Sequence, residues 1–348
     1  MTQSPDQGAY ALNPQCLKFM HMFGLRHPII QAPMDGPATA PLAAAVSANG
    51  GLGSLPLTWR TPQKAAQEIA QVKAATSAEF FGNFVLNFSP QSLDLSLKAG
   101  LKTIQFSWGM PDAALVEKLR SRAIRIGIQV IDADSACAAM QRAPDFLICQ
   151  GLEAGGHVQA NMPLARAMAE VLPVAGDTPV AAAGGLASGA DIRRALNAGA
   201  AAAVLGTRFV ATAESLGHPD YKAQLVAAQG PDDTVLTVCL NKAWPNATHR
   251  ILRANSSLQM WETAGRPPGP YYIGAPAADR PGEHDIVASY GDGSTLERYT
   301  GIVPIESMPY CDTQAMGNYA GYGVGDINDV PTVETLIRRL AKDFKNAR

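Results

Sequence analysis

Eight short β-branched or apolar runs, the first seven each followed by a longer alanine-rich segment, occupy residues 27–206 and constrain this 348-residue chain most. Such alternation builds a parallel sheet, because each return to the sheet needs a crossover, usually helical. The pattern predicts strands over His27–Gln31, Leu52–Leu55, Phe81–Asn87, Thr103–Phe106, Arg125–Val130, Phe146–Cys149, Pro179–Ala183 and Ala202–Leu205. Helices are expected over Pro41–Ala48, Pro62–Thr76, Gln91–Ala99, Asp112–Ser121, Ser135–Gln141, Leu164–Val171 and Gly189–Ala198. Thr61 stands before Pro62, and Ser188 before a helix ending at Ala198-Gly199, which agrees with N-cap and C′ chemistry. Eight units within 180 residues predict a (β/α)8 TIM barrel. A doubly wound sheet would need a G-x-G-x-x-G after the first strand. Gly51-Leu52-Gly53 instead follows the first helix and leads into the second strand.

After Gly206 the texture changes. Residues 218–328 are rich in Pro, Gly, Tyr and Trp, with Arg-Pro-Pro-Gly-Pro-Tyr-Tyr at 266–272 and Gly-Asp-Gly at 291–293. That stretch is too long for a loop and too apolar for disorder, so a C-terminal lid or small second domain is expected. The expected division is a barrel over 1–217, a lid over 218–328, and a segment over 329–348 that packs back on the barrel. Within it, Thr332–Lys345 carries Val333, Leu336, Ile337 and Leu340 on one helical face. Tyr271, Tyr272, Tyr319 and Tyr322 are the lid's candidate substrate contacts.

Composition narrows the function. With 47% hydrophobic and 17% charged residues the chain is not a disordered one, and it has no uninterrupted apolar run of membrane-spanning length. A net charge of −2 without a basic stripe disfavours nucleic acid and anionic membranes as partners. The polar start lacks the parts of a secretory signal. The five cysteines, at 16, 137, 149, 239 and 311, are scattered and form no C-x-x-C, so neither a disulfide frame nor a zinc site is expected. The expectation is a cytoplasmic α/β enzyme, monomer or homodimer, acting on a small molecule.

In a TIM barrel, functional groups sit at the C-terminal ends of the strands. Ala183-Gly184-Gly185-Leu186 and Leu205-Gly206-Thr207-Arg208 follow the seventh and eighth predicted strands, where loops commonly bind phosphate. Glycines there let backbone N–H groups approach an anion; Thr207 offers a hydroxyl and Arg208 a charge. His157 follows Gly155-Gly156 after the sixth strand and is the histidine placed at the barrel mouth, whereas His218 and His284 read as surface residues. Glu153 reads equally as a partner for that site or a solvated carboxylate. Gln31-Ala32-Pro33-Met34 ends the first strand, Asn83 lies on the third and Gln129 on the fifth. Such amides suit either the edge of a flat heterocycle or a core hydrogen bond.

Four ordered segments resemble the nitronate monooxygenases, FMN-dependent TIM barrels related to flavin enoyl-carrier-protein reductases. They are Arg26–Met34, Gln150-Gly151-Leu152-Glu153-Ala154-Gly155-Gly156-His157, the Ala-Ala-Gly-Gly-Leu-Ala-Ser-Gly run ending at Gly189, and Gly206-Thr207-Arg208-Phe209. The resemblance is strong over residues 20–222 and continues more weakly through Trp244-Pro245, His249–Arg253 and Tyr319–Gly325. It implies FMN near Ala32, Pro33 and Met34, with Asn83, Gln129 and Gln150 beside the ring and Gly155 and Gly156 bordering it. Gly184, Gly185, Gly206 and Thr207 would take the phosphate, with Leu205 among the cofactor-binding residues, and His157 matches the family's catalytic histidine. The chain departs from the family's usual residues at Gln159, Val204 and Tyr322. The implied reaction is oxidation of alkyl nitronates or nitroalkanes with O2, His157 orienting the anion or deprotonating the neutral form. The alternatives are an NAD(P)H-dependent FMN reductase of an enoyl thioester or quinone, and a non-catalytic flavin-binding protein.

Overall fold

Asn13 caps the first helix, α1 (Pro14–Phe23): its side chain accepts the Cys16 N–H at 2.8 Å, and Pro14 presets the first helical φ. The sequence pattern did not anticipate this helix. The Asn13 amide also reaches the carbonyls of Leu196 and Ala200, at 2.8 and 3.0 Å. Phe19 and Phe23 of α1 meet Phe146 edge-on at 5.7 and 5.5 Å, and Phe81 packs on Phe146 at 6.5 Å. With Ile30, Leu52, Ile148, Ala181 and Ala202 they fill the interior beneath the strands. An aromatic plug at the N-terminal mouth leaves the C-terminal mouth as the open end. The structure, a computed structural model, describes residues 11–244, 247–266 and 280–347.

Around this plug run β1 (Ile29–Gln31), β2 (Gly53–Pro56), β3 (Phe80–Val85), β4 (Thr103–Ser107), β5 (Arg125–Val130) and β6 (Phe146–Gln150). A two-residue strand, β7 (Gly156–His157), lies off the barrel, and β8 (Val180–Ala183) and β9 (Ala202–Leu205) complete it. The parallel order is β1-β9-β8-β6-β5-β4-β3-β2, closed by a bridge between Ile30 and Leu52. This is the eight-stranded TIM barrel that the alternation predicts. The strands are almost wholly buried, as parallel strands covered by helices are.

Helices follow the strands: α2 (Ala40–Ala48), α3 (Pro62–Ala75), α4 (Leu93–Lys98), α5 (Ala113–Arg120), α6 (Ala133–Met140), α7 (Leu164–Ala175) and α8 (Gly189–Asn197). One boundary differs instructively. The α6 helix begins at Ala133 rather than Ser135, because Asp132 is the N-cap and Ser135 is the third residue of a capping box. After β9 there is only the short α9 (Thr207–Val210).

The chain then leaves the barrel for α10 (Pro219–Ala227), β10 (Thr234–Thr237), β11 (His249–Leu252), α11 (Ser256–Thr263), β12 (Ile286–Ser289), β13 (Thr295–Glu297) and β14 (Tyr310–Cys311). These strands form two three-stranded sheets, β10-β11-β7 and β13-β12-β14. The first joins the excursion to the barrel by pairing His157 with His249 and Gly156 with Arg250. The final helix, α12 (Val333–Asn346), buries Val333, Leu336, Ile337, Leu340 and Phe344 against α8 and α2. It thereby takes the eighth helical position that α9 is too short to fill. Arg193 of α8 fixes it by donating to the carbonyls of Phe344, at 2.7 Å, and Lys345, at 2.8 Å. No helix among the described residues is long and apolar enough to cross a membrane.

Candidate active site

A cavity of about 720 Å3 opens where the C-terminal ends of the barrel strands meet the excursion. Ala32, Pro33, Met34, Asn83, Gln129, Gln150, Gly155, Gly156, His157, Gly184, Gly185, Gly206 and Thr207 all line it. Leu205 does not. It is fully buried among the helices outside the barrel, and its carbonyl accepts the Ala32 N–H at 2.9 Å. From the excursion come Leu240, Trp244, Tyr290, Val303, Met308 and Tyr319. Tyr322 is not on the cavity wall; its ring stacks on the Arg250 guanidinium at 4.3 Å. Tyr271 and Tyr272 lie outside the described residues.

One side of the cavity suits an anion. Among the described residues, the N–H groups of Gly184, Gly185, Gly206 and Thr207 have no protein acceptor, although all four residues face the cavity. Unpaired backbone donors gathered at one place are expensive unless a ligand or water receives them. The Thr207 hydroxyl accepts the Gly321 N–H at 3.1 Å, which leaves its own proton to donate. Gly185 has a φ of +66°, a conformation that glycine adopts without strain. Arg208 does not join this cradle. It is buried away from the cavity, donating to the carbonyls of Ala211 and Asp329 at 2.7 Å each, so its charge ties α9 to the segment before α12.

The amides form a separate layer. Asn83 donates to Gln105 Oε1 at 2.6 Å and to Ser107 Oγ at 3.2 Å. Gln150 Oε1 accepts the Gln159 N–H at 2.8 Å, its Nε2 donates to the His157 carbonyl at 3.2 Å, and Gln129 reaches Gln159 Oε1 at 3.1 Å. Gln150 thus fixes the strand carrying His157 from below. Glu153 receives the Leu164 N–H with both oxygens, at 3.1 and 2.9 Å. It caps α7 and is neither a partner of His157 nor a solvated loop residue.

His157 sits on β7 rather than in a free loop, held between Gln150 and His249. Among the described residues its ring nitrogens have no protein partner, and the ring borders the cavity. Rings hold it instead. Trp244 stacks on it at 4.5 Å and 25°, and Tyr319 and His249 lie at 5.5 Å each. Burial, with a smaller contribution from His249, pushes its pKa down to about 3, so the imidazole is neutral near pH 7. His249 is neutral too, pushed down to about 4 by burial. Both of its nitrogens are satisfied, Nδ1 by the Ala247 carbonyl at 2.9 Å and Nε2 by the Leu240 N–H at 3.2 Å. A satisfied histidine supports structure; an unsatisfied one facing a cavity is available to a ligand.

Sequence reasoning singled out Tyr319 but missed the other rings that converge on the site. Trp59, Phe88 and Trp108 stand one to three residues beyond the ends of β2, β3 and β4, and they converge on Trp244. Trp108 has a φ of +58°, a conformation that costs a bulky residue about 1–3 kcal/mol. The signal was available: each ring stands at the strand end where barrel chemistry is carried.

Comparison with known proteins matches residues 18–95 and 84–343 to the family model described as nitronate monooxygenase. A nitronate monooxygenase of Pseudomonas aeruginosa is 30% identical over 339 residues, covering 81% of this chain and 94% of that protein. The structure of FabK from Thermotoga maritima superposes with a TM-score of 0.76 at 25% identity, covering 94% of this chain and 96% of that one. That of a nitroalkane oxidase from Streptomyces ansochromogenes gives 0.73 at 26% identity, covering 95% and 99%.

Proposed function

The chain belongs to the nitronate monooxygenase family, and from that premise we propose that it oxidises alkyl nitronates with O2, using FMN held at the barrel mouth. It is an enzyme, a flavin oxidoreductase. The flavin supplies the electron chemistry when bound; the protein supplies position, exclusion of water and hydrogen bonds. The four unpartnered N–H groups at Gly184, Gly185, Gly206 and Thr207 fit a single phosphate. Ala32, Pro33 and Met34 would lie along the ring, with Gly155 and Gly156 at its border and Asn83, Gln129 and Gln150 on the layer beneath. The excursion over 218–328 would act as the cover that keeps water from the reduced cofactor.

The observation that carries this reading is His157, a neutral imidazole with free ring nitrogens among aromatic rings. Burial favours one of its two possible roles. A histidine with so low a pKa is a poor acceptor for the carbon-bound proton of a neutral nitroalkane. It is a good hydrogen-bond donor to a nitronate oxygen, and an anion beside it stabilises any proton it gains. The preformed nitronate is therefore the proposed substrate.

Oxygen uptake with ethyl nitronate tests the proposal. The wild-type protein should consume O2, and its released flavin should chromatograph as FMN. His157→Ala should keep the flavin but lose about 10- to 100-fold in kcat/KM, the value of one hydrogen bond to a charged group. His157→Gln, which restores a neutral donor, should recover part of the loss. No uptake by a flavin-loaded wild type would overturn the proposal.

A further inference from the structure

Four aromatic side chains make one wall of the cavity, and of these the proposed reaction uses only Trp244, through its stacking on His157. Trp59 and Phe88 meet at 5.3 Å, Phe88 and Trp244 at 5.1 Å, and Trp108 and Trp244 at 4.7 Å. All four border the cavity. The rings pack on one another edge-on or tilted, so they form a continuous surface rather than a slot. In the closed strand order, β3 and β4 lie across the barrel from β8 and β9. Phe88 and Trp108 therefore face the mouth from the side opposite Gly184, Gly185, Gly206 and Thr207, and Trp244 carries the wall round to His157, on which it stacks. Trp59 is 41% exposed, and Trp108 has a φ of +58°.

Charge at the wall's outer end is cancelled. Arg60 is paired with Asp35 at 2.6 Å and with Glu68 at 3.3 Å, and Lys64 approaches Glu68 at 4.0 Å. Among the described residues, two cations and two anions balance beside Trp59, which leaves little net charge there to receive a phosphate or carboxylate tail.

We propose that the Trp59–Phe88–Trp108–Trp244 wall is a substrate subsite for a flat apolar group, so that the preferred nitronates carry an aryl substituent rather than a short alkyl chain. This rests on the reaction proposed above but concerns a different part of the substrate. The nitronate end would meet His157, and the ring would lie against the indoles in offset or edge-on contact. Trp59 and Phe88 are then specificity-determining residues.

The test compares 2-phenylethyl nitronate with ethyl nitronate on the flavin-loaded protein. Binding is read by quenching of tryptophan fluorescence, and three of the chain's four tryptophans border the cavity. The aryl compound should bind about tenfold more tightly or better, and kcat/KM should follow the same order. Trp59→Ala and Phe88→Ala should each bring the affinity ratio toward one. Trp59 is exposed enough for its loss to leave the barrel folded, which retained flavin absorbance will report. A ratio near one in the wild type, or a ratio unchanged in both variants, overturns the subsite. The two proposals fail separately. Preferential aryl binding without O2 uptake from either nitronate keeps the wall and removes the reaction; equal affinity and turnover keep the reaction and remove the wall.

Discussion

A Cβ placed on Gly185 would meet the Cβ atoms of Glu153 at 2.9 Å and Tyr322 at 3.1 Å, not the space of the anion cradle. From sequence, a bulky residue here is expected to block an approaching phosphate directly. The structure changes the reason. At a φ of +66°, Gly185→Val strains the backbone and pushes against the α7 capping loop and the 321–323 turn, so the cradle opens from behind. Gly185→Val should therefore lose both flavin content and thermal stability, whereas simple blocking of the anion would lose flavin alone. Calorimetry of the flavin-free forms separates the two outcomes. Gly155 makes a similar close approach, since its Cβ would lie 2.5 Å from the Gly321 nitrogen. At this scale the sequence was legible where a residue type had one use, as with glycine at a strand end. It was ambiguous where a side chain had two, as with Arg208 and Glu153, whose partners are set by tertiary contacts.

At the scale of elements, the barrel strands were legible because buried parallel strands read as continuous apolar runs, and most observed ends fall within two residues of expectation. The strands β7 and β11 were not. A two-residue strand has no periodicity to detect, and its partner lies 92 residues away, His157 against His249. That pairing has a consequence in acid. His249 is fully buried, and its Nε2 accepts the Leu240 N–H, so protonation would remove the acceptor that ties Leu240 to β11. Its folded pKa of about 4 lies below the ordinary 6.5. The unfolded chain takes up a proton as pH falls through 6.5 while the folded chain does not. The contribution is therefore whole above that pH and is lost progressively down to about 4. His157 acts in the same direction. Between pH 7 and pH 5 the unfolding free energy should fall by on the order of 2 kcal/mol for His249 alone. Urea titrations at the two pH values measure this, and a stability unchanged between them would contradict it.

At the scale of the whole molecule, the chain plugs one end of a barrel with α1, and residues of the excursion between α9 and α12 line the cavity at the other. The sequence announced the excursion by composition but not its architecture, because its two small sheets depend on pairings with distant residues. It also hid the aromatic wall, whose rings come from positions 59, 88, 108 and 244 and meet only when the barrel closes. The proposed site combines unpaired backbone donors, a neutral histidine and an apolar wall, and on that reading nitronate reduces its flavin. Flavin absorbance after anaerobic rapid mixing tests that claim most directly, with ethyl nitronate in one experiment and NADH in the other. The flavin should bleach with the nitronate and stay oxidised with NADH. Bleaching by NADH together with no response to the nitronate would contradict the account and make the protein a pyridine-nucleotide-dependent reductase.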